Sequence, residues 1–199
     1  MMKIAIFASG NGSNFEAIAK AIEKKAIDAE IAVLFCDQKA AFVLERAAKY
    51  QVPTVSFSPK DFLSKVNYEN EIKRTMYEFN VELIVLAGYM RIVGSTLLEA
   101  FPKKIINLHP SLLPSFPGLH GIRDAFDYGV KVSGITIHYI DEGVDTGPII
   151  AQATTEITAE DTLKSLEEKI HQLEHYWYPK VLGEIIQKES YSYVKKSVN

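Results

Sequence analysis

Asn107 and His109 stand two residues apart at the end of an apolar run and are followed at once by Pro110. If that run is a strand, both side chains lean to one side, and the proline holds His109 extended. A neutral amide beside an imidazole suits acyl transfer. The amide can donate to a developing oxyanion, and the imidazole can stabilise it as a cation or move a proton. No protein nucleophile is needed if the substrate brings its own. An ordinary strand end would carry the same pair, so both readings stay open on these residues alone. Asp145 lies in a glycine-rich connection, residues 141–148. That connection is either a solvated turn or a means of bringing a carboxylate to the imidazole. A third candidate is Gly10-Asn11-Gly12-Ser13-Asn14, between an apolar run and a helical pattern. Backbone N–H groups and a helix N-terminus would converge there on an anion such as phosphate. Phe15 occupies the place of the third glycine of a dinucleotide fingerprint, and the P-loop lysine is missing. The competing reading is a tight turn with Ser13 or Asn14 as helix cap.

These groups need a frame that brings strand ends together. β-rich apolar runs at 3–8, 30–36, 53–57, 82–87 and 104–108 alternate with helical patterns at 14–24, 40–50, 61–79 and 95–100. That βαβ series predicts an α/β fold with a parallel sheet, helices on both faces and ligands at the carboxyl ends of the strands. After residue 108, Pro110, Pro114, Pro117, Gly118 and Gly121 exclude a helix or central strand and predict a constrained loop. A short helix at 123–128 should lead to strands at 132–140 and 149–157, making the sheet mixed. Leu163, Leu166, Ile170, Leu173 and Trp177 recur at helical spacing, with Thr158 and Asp161 read as a capping box before them. Residues 195–199 read as a frayed tail.

The chain has 199 residues, 47% hydrophobic and 24% charged, long enough for a sizeable core and read as a single domain over 1–199. A formal charge of −3 lacks the general basic field of a nucleic-acid binder, so an anion site must be local. No apolar run reaches the length of a membrane span or signal-peptide core, which points to a cytoplasmic protein without membrane contact. The single cysteine, Cys36, excludes an internal disulfide and a cysteine-based zinc cluster.

The segments Gly10-Asn11-Gly12-Ser13-Asn14-Phe15, Leu86-Ala87-Gly88-Tyr89-Met90-Arg91, Ile106-Asn107-Leu108-His109-Pro110-Ser111-Leu112-Leu113-Pro114 and Gly143-Val144-Asp145-Thr146-Gly147-Pro148 resemble those of the phosphoribosylglycinamide formyltransferase family. The match runs in order over nearly the whole chain. The Asn-x-His-Pro segment is shared with other formyltetrahydrofolate-using enzymes, and the glycine turn with Ser-Asn narrows the choice. The resemblance implies a Rossmann-like three-layer fold, with a nucleotide-binding half at 1–108 and a folate-binding half at 109–199. It implies transfer of a formyl group from 10-formyltetrahydrofolate, as co-substrate, to the amine of 5-phosphoribosylglycinamide in purine synthesis, with no metal. Asn107 and protonated His109 would stabilise the oxyanion, with Asp145 holding the imidazole. Gly12, Ser13 and Asn14 match the family's phosphate cradle and Glu174 its ribose contact. Met90, Arg91, Ile92 and Val93 match the pterin pocket, and Asp141, Glu142, Gly143, Val144 and Asp145 match the folate loop. Lys65 falls where the family often carries arginine, and Ser115 where some members carry lysine. Partners would be small molecules, with a homodimer allowed. The alternatives are a formyltetrahydrofolate hydrolase or a non-catalytic folate- or nucleotide-binding module. Methionyl-tRNA formyltransferase shares the core but adds an RNA-binding domain for which 199 residues leave no room.

Four other histidines have plainer readings. His171-Gln172-Leu173-Glu174-His175 spells an inverted zinc-protease motif, but no companion for a third ligand is recognisable, and an amphipathic helix face is the simpler account. His138 reads as a satisfied structural histidine and His120 as part of the site's rim. Cys36 reads as a small buried hydrophobe, and Tyr176, Trp177 and Tyr178 as core or interface aromatics.

Overall fold

The computed structural model describes residues 1–196, with side chains described through Glu189. Its centre is a seven-stranded sheet in the order β3-β2-β1-β4-β5-β6-β7. The strands are β1 (Met2–Ala8), β2 (Ala29–Cys36), β3 (Thr54–Ser56), β4 (Leu83–Leu86), β5 (Ile105–His109), β6 (Val132–Tyr139) and β7 (Ile149–Glu156). The first five run parallel, β6 runs antiparallel to β5 and β7 antiparallel to β6, so the sheet is mixed as expected. The chain steps outward from β1 to β3, then returns to β4 on the other side of β1. The topological switch point therefore lies between β1 and β4.

β1 is apolar from Ile4 to Ala8 because both its faces are covered there. Ile4, Ile6 and Ala8 pack with Phe15 and Ile18 of α1 (Ser13–Glu23), Val43 and Ala47 of α2 (Val43–Lys49) and Leu166, Ile170 and Tyr178 of α6 (Leu163–Lys196). On the opposite face Ala5 and Phe7 pack with Tyr68, Ile72 and Met76 of α3 (Lys65–Glu78) and Leu97 of α4 (Ser95–Ala100). α5 (Gly121–Tyr128) adds Ile122 and Phe126 to the first face. Tyr178, fully buried, donates its hydroxyl to the Leu86 carbonyl at 2.8 Å and so ties α6 to the end of β4. Among the described residues no helix is long and apolar enough to cross a membrane.

Several local expectations need correction. The helix expected at 61–79 is split into a 3₁₀ turn (Pro59–Asp61) and α3, because Ser64 caps α3 by accepting the Asn67 N–H at 3.1 Å. Neither Ser13 nor Asn14 caps α1; the cap is Gly12, at φ +77°. Glycine is required there twice over, since an added Cβ would also lie 2.3 Å from Val43 Cγ2. Thr158 and Asp161 close a turn through Asp161 Oδ2, 2.8 Å from Thr158 N, but the helix begins later, at Leu163, where Ser165 N donates to Thr162 Oγ1. α6 continues through Pro179. An interior proline costs about 3 kcal/mol, whereas burying each large apolar side chain returns about 1.5–3 kcal/mol, and Tyr178, Val181, Leu182, Ile185 and Ile186 are all buried. Of the tail expected to fray, Lys195 and Lys196 lie in α6 and 197–199 lie outside the described residues.

Candidate active site

β5 ends at His109, and its antiparallel partner β6 places His138 opposite Asn107 and Thr136 opposite His109. Opposed residues share a face, so all four side chains stand together. The Nδ1 of buried His138 donates to the Tyr139 carbonyl at 2.9 Å, and burial holds its pKa below the usual histidine value. A neutral ring protonated on Nδ1 has only a lone pair on Nε2. Asn107 Nδ2, 3.2 Å away, therefore donates to it, which fixes the orientation of the Asn107 amide.

Past His109 the proline loop is held by Thr136. Its hydroxyl donates to the Ser111 carbonyl at 2.7 Å and accepts from the Leu113 N–H at 3.0 Å, and Gln152 Nε2 reaches both Leu113 O and Thr136 Oγ1. Ser111 Oγ in turn donates to the carbonyls of Ser115 and Phe116. That fixed Phe116 carbonyl lies 2.8 Å from His109 Nε2. On the other edge of the ring, His109 Nδ1 is 3.3 Å from Asp145 Oδ2, which also accepts the Gly118 N–H at 2.8 Å. Both neighbours of the imidazole are acceptors, so both contacts are satisfied only by a ring carrying both protons. Asp145 Oδ1 is 3.6 Å from His138 Nε2, so the carboxylate lies near both histidines but pairs with His109. Asp145 sits at φ +56° in a folded loop, where Asp141 Oδ1 accepts from Gly143 N and Thr146 Oγ1. The glycine-rich connection is thus a shaped turn that brings the carboxylate to the imidazole.

Asn107, His109 and Asp145 line a crevice of about 360 Å³ together with Met90, Arg91, Ile92, Val93, Asp141, Gly143 and Val144. Met90 and Ile92 expose 61% and 64% of their surface, an apolar wall without a partner. Glu142 is exposed and not part of the lining. Lys65 is also outside the lining, on α3, with Nζ 3.8 Å from the buried Glu69 carboxylate, whose Oε1 accepts the Gly94 N–H at 2.7 Å.

The glycine turn forms a second, adjacent centre. With no side-chain cap on α1, the first backbone N–H groups of the helix are left to meet an anion. Arg46 braces the turn through Asn11, from Nε to the carbonyl at 2.9 Å and from Nη2 to Oδ1 at 3.0 Å, and also pairs with Glu16. Glu174, from far along the sequence, accepts both Asn14 Nδ2 and His171 Nδ1 at 3.0 Å through the same oxygen. The hydrogen bond to Glu174 raises the His171 pKa, whereas burial lowers that of His175, whose ring stacks on His171. The segment that spells an inverted zinc-protease motif therefore has its glutamate turned to the glycine turn, on a helix as expected. Cys36 is buried and its thiol pKa is pushed up by burial. His120 precedes α5 as its N-cap residue.

Sequence reasoning missed Asp37, Glu69 and Thr136, and saw His138 only as structural. Each is a polar residue in an apolar stretch or helix, a signal that becomes specific only when its long-range partner is known.

Residues 2–182 match the profile of the family described as Formyl transferase. A phosphoribosylglycinamide formyltransferase from Bacillus subtilis (strain 168) is 53% identical over 186 residues, covering 94% of this chain and 95% of the relative. The crystal structure of phosphoribosylglycinamide formyltransferase from Bacillus halodurans superposes with a TM-score of 0.92 at 48% identity, over 94% of this chain and 96% of that one. Glycinamide ribonucleotide transformylase 1 from Geobacillus kaustophilus gives 0.92 at 49% identity, over 94% and 99%. With the strand-end Asn-x-His pair and its aspartate in one crevice and the glycine turn beside it, these matches make the chain a member of the formyl transferase family.

Proposed function

We propose that this enzyme transfers the formyl group of 10-formyltetrahydrofolate to the amine of 5-phosphoribosylglycinamide. The observation that carries this reading is the meeting of Asn107, His109 and Asp145 in a crevice with an apolar wall on one side and the uncapped start of α1 nearby. The substrate phosphate would take the N–H groups at Gly12, Ser13 and Asn14, and Glu174 would accept a ribose hydroxyl. The flat pterin would lie along Met90–Val93 and the loop at 141–145, reading backbone groups with its edge. Lys65 would reach the folate's acidic tail as a point charge from the rim.

The acceptor amine attacks the formyl carbon, and the carbonyl electron pair moves onto oxygen. The free hydrogen of Asn107 Nδ2 and the Nε2–H of His109, shared with the Phe116 carbonyl, stabilise that oxyanion. Collapse re-forms the carbonyl and breaks the bond to the folate nitrogen, which gains the proton lost by the amine, with His109 as relay. Asp145 keeps the ring oriented. Much of the rate would come from positioning, because the acceptor supplies the nucleophile.

Small-molecule partners suit the net charge of −3, with the anion site confined to one turn. We place the activity in the cytoplasm, without nucleic acid or membrane, and leave a homodimer allowed. Purified protein is mixed with 10-formyltetrahydrofolate, with and without the acceptor, while the folate spectrum is followed. Acceptor-dependent turnover is expected, and His109→Ala should lower kcat by about 10²–10⁴-fold without loss of fold. Turnover without acceptor would make the enzyme a hydrolase; none with it would sink the assignment.

A further inference from the structure

The apolar wall of the crevice belongs to no helix or strand. Residues 88–94 run irregularly from the end of β4 to α4, and Met90 and Ile92 point outward. Such a segment keeps its shape only through tethers on its backbone and on its one charged side chain. Two of these tethers lead to Asp37, the residue after β2, which is only 1% exposed and outside the crevice lining. Asp37 Oδ1 accepts the Ser9 hydroxyl at 2.5 Å, and Oδ2 accepts Arg91 Nε at 2.7 Å and Gln38 Nε2 at 3.3 Å. The same Ser9 oxygen accepts the Met90 N–H at 2.9 Å, while Ser9 N donates to the Gly88 carbonyl at 3.0 Å. One carboxylate just past β2 thereby fixes, through a hydroxyl and a guanidinium, two consecutive residues of the wall.

We infer that Asp37 is a positioning residue for the folate site: it sets Met90 and Arg91 at the distance a flat heterocycle requires, without touching substrate. This rests on the formyltransferase reading above. A carboxylate is suited to the task because it accepts on both oxygens, from a hydroxyl on one and a cation on the other. Asparagine in its place keeps one accepting oxygen for Arg91 but offers Ser9 a donor instead of an acceptor and removes the charge that pairs with the guanidinium, so both tethers are weakened. Alanine keeps neither and leaves Arg91 Nε and the Ser9 hydroxyl to find other partners. The glycine turn begins one residue after Ser9, yet its brace is Arg46 and Glu174, so the phosphate side should be little affected.

The test is a kinetic series on the full-length enzyme. For Asp37→Ala the KM for 10-formyltetrahydrofolate should rise about 10–30-fold and for Asp37→Asn about 3–10-fold, with kcat within about threefold and the acceptor KM within about twofold of wild type. A merely structural role would lower the melting temperature and the amount of active enzyme while leaving the folate KM unmoved. That result, or an equal rise in both KM values, would overturn the proposal. Ser9→Ala, which removes the bridge to Met90 without stranding a charge, should raise the folate KM in the same direction and serves if Asp37→Ala does not fold. Inactivity of the wild type would instead count against the formyltransferase reading. Direct titration with 10-formyltetrahydrofolate then decides Asp37: weaker binding to the variants upholds its role, and equal binding refutes it.

Discussion

Replacing Thr136 by valine removes one hydroxyl and keeps the shape of the side chain. In the wild type that hydroxyl serves the Ser111 carbonyl, the Leu113 N–H and Gln152 Nε2. In the variant Gln152 keeps the Leu113 carbonyl, but the Leu113 N–H and the Ser111 carbonyl are stranded in a buried place. Each orphaned buried group costs about 1–3 kcal/mol, and partial movement of the loop should hold the total for two near 2–4 kcal/mol. At about 2–4 °C per kcal/mol for a chain of this size, the melting temperature should fall by about 4–16 °C. Activity should fall further than stability alone explains, because the loop carries the Phe116 carbonyl and the Gly118 N–H that position His109 and Asp145. Thermal unfolding by circular dichroism, with kcat measured well below the transition, reads both effects. Thr136→Ser retains the hydroxyl and should lie within about 1 kcal/mol of wild type. Melting of the valine variant within 2 °C of wild type, or a serine variant as unstable as the valine one, would refute the reasoning.

Two further substitutions examine the glycine-turn side. Glu174→Gln removes the carboxylate whose hydrogen bond raises the His171 pKa, so the imidazole should titrate closer to the ordinary histidine range by NMR. Because the folded-state value is raised, this pair favours the fold fully below the ordinary histidine pKa, and the contribution is lost as pH rises through the raised value. The variant should lose that part of the pH dependence of stability, and an unchanged His171 titration would contradict the coupling. Gly12→Ala forces φ +77° on an L-residue and drives a Cβ to 2.3 Å from Val43 Cγ2. Strain and overpacking together should cost about 2–4 kcal/mol, seen as a lower denaturation midpoint, together with a raised KM for the phosphorylated acceptor. A midpoint equal to wild type would show that the turn relaxes more easily than its geometry implies.

Much of this was legible in residue order. The parallel strands are apolar runs between helical patterns, the prolines after His109 mark a loop, and Asn107, His109 and Asp145 sit in the motifs that carry the family resemblance. What stayed hidden depends on who lies opposite whom. Thr136 and His138 read as ordinary alternating strand residues until β6 pairs with β5, and that register spans about thirty residues of chain. Asp37 sits at a strand end like many aspartates, and only the fold brings Arg91 to it. The caps failed for a local reason: Ser13 and Asn14 are good capping residues, but the left-handed turn at Gly12 ends one residue earlier and draws them into the helix.

The pairing of β5 with β6 has a bearing on when the enzyme becomes an enzyme. Every strand added before it extends a parallel ladder that could form from the first half of the chain, yet none of those steps brings Asp145 to Asn107 and His109. Only when β6 arrives in register do His138 and Thr136 come under Asn107 and the proline loop, and Asp145 follows on the connection beyond. A slip of one residue would turn both side chains to the opposite face of the sheet and leave a well-made but silent scaffold. Catalytic competence is therefore a report on the completion of folding at the antiparallel edge, and recovery of activity on refolding should trail the recovery of β-structure.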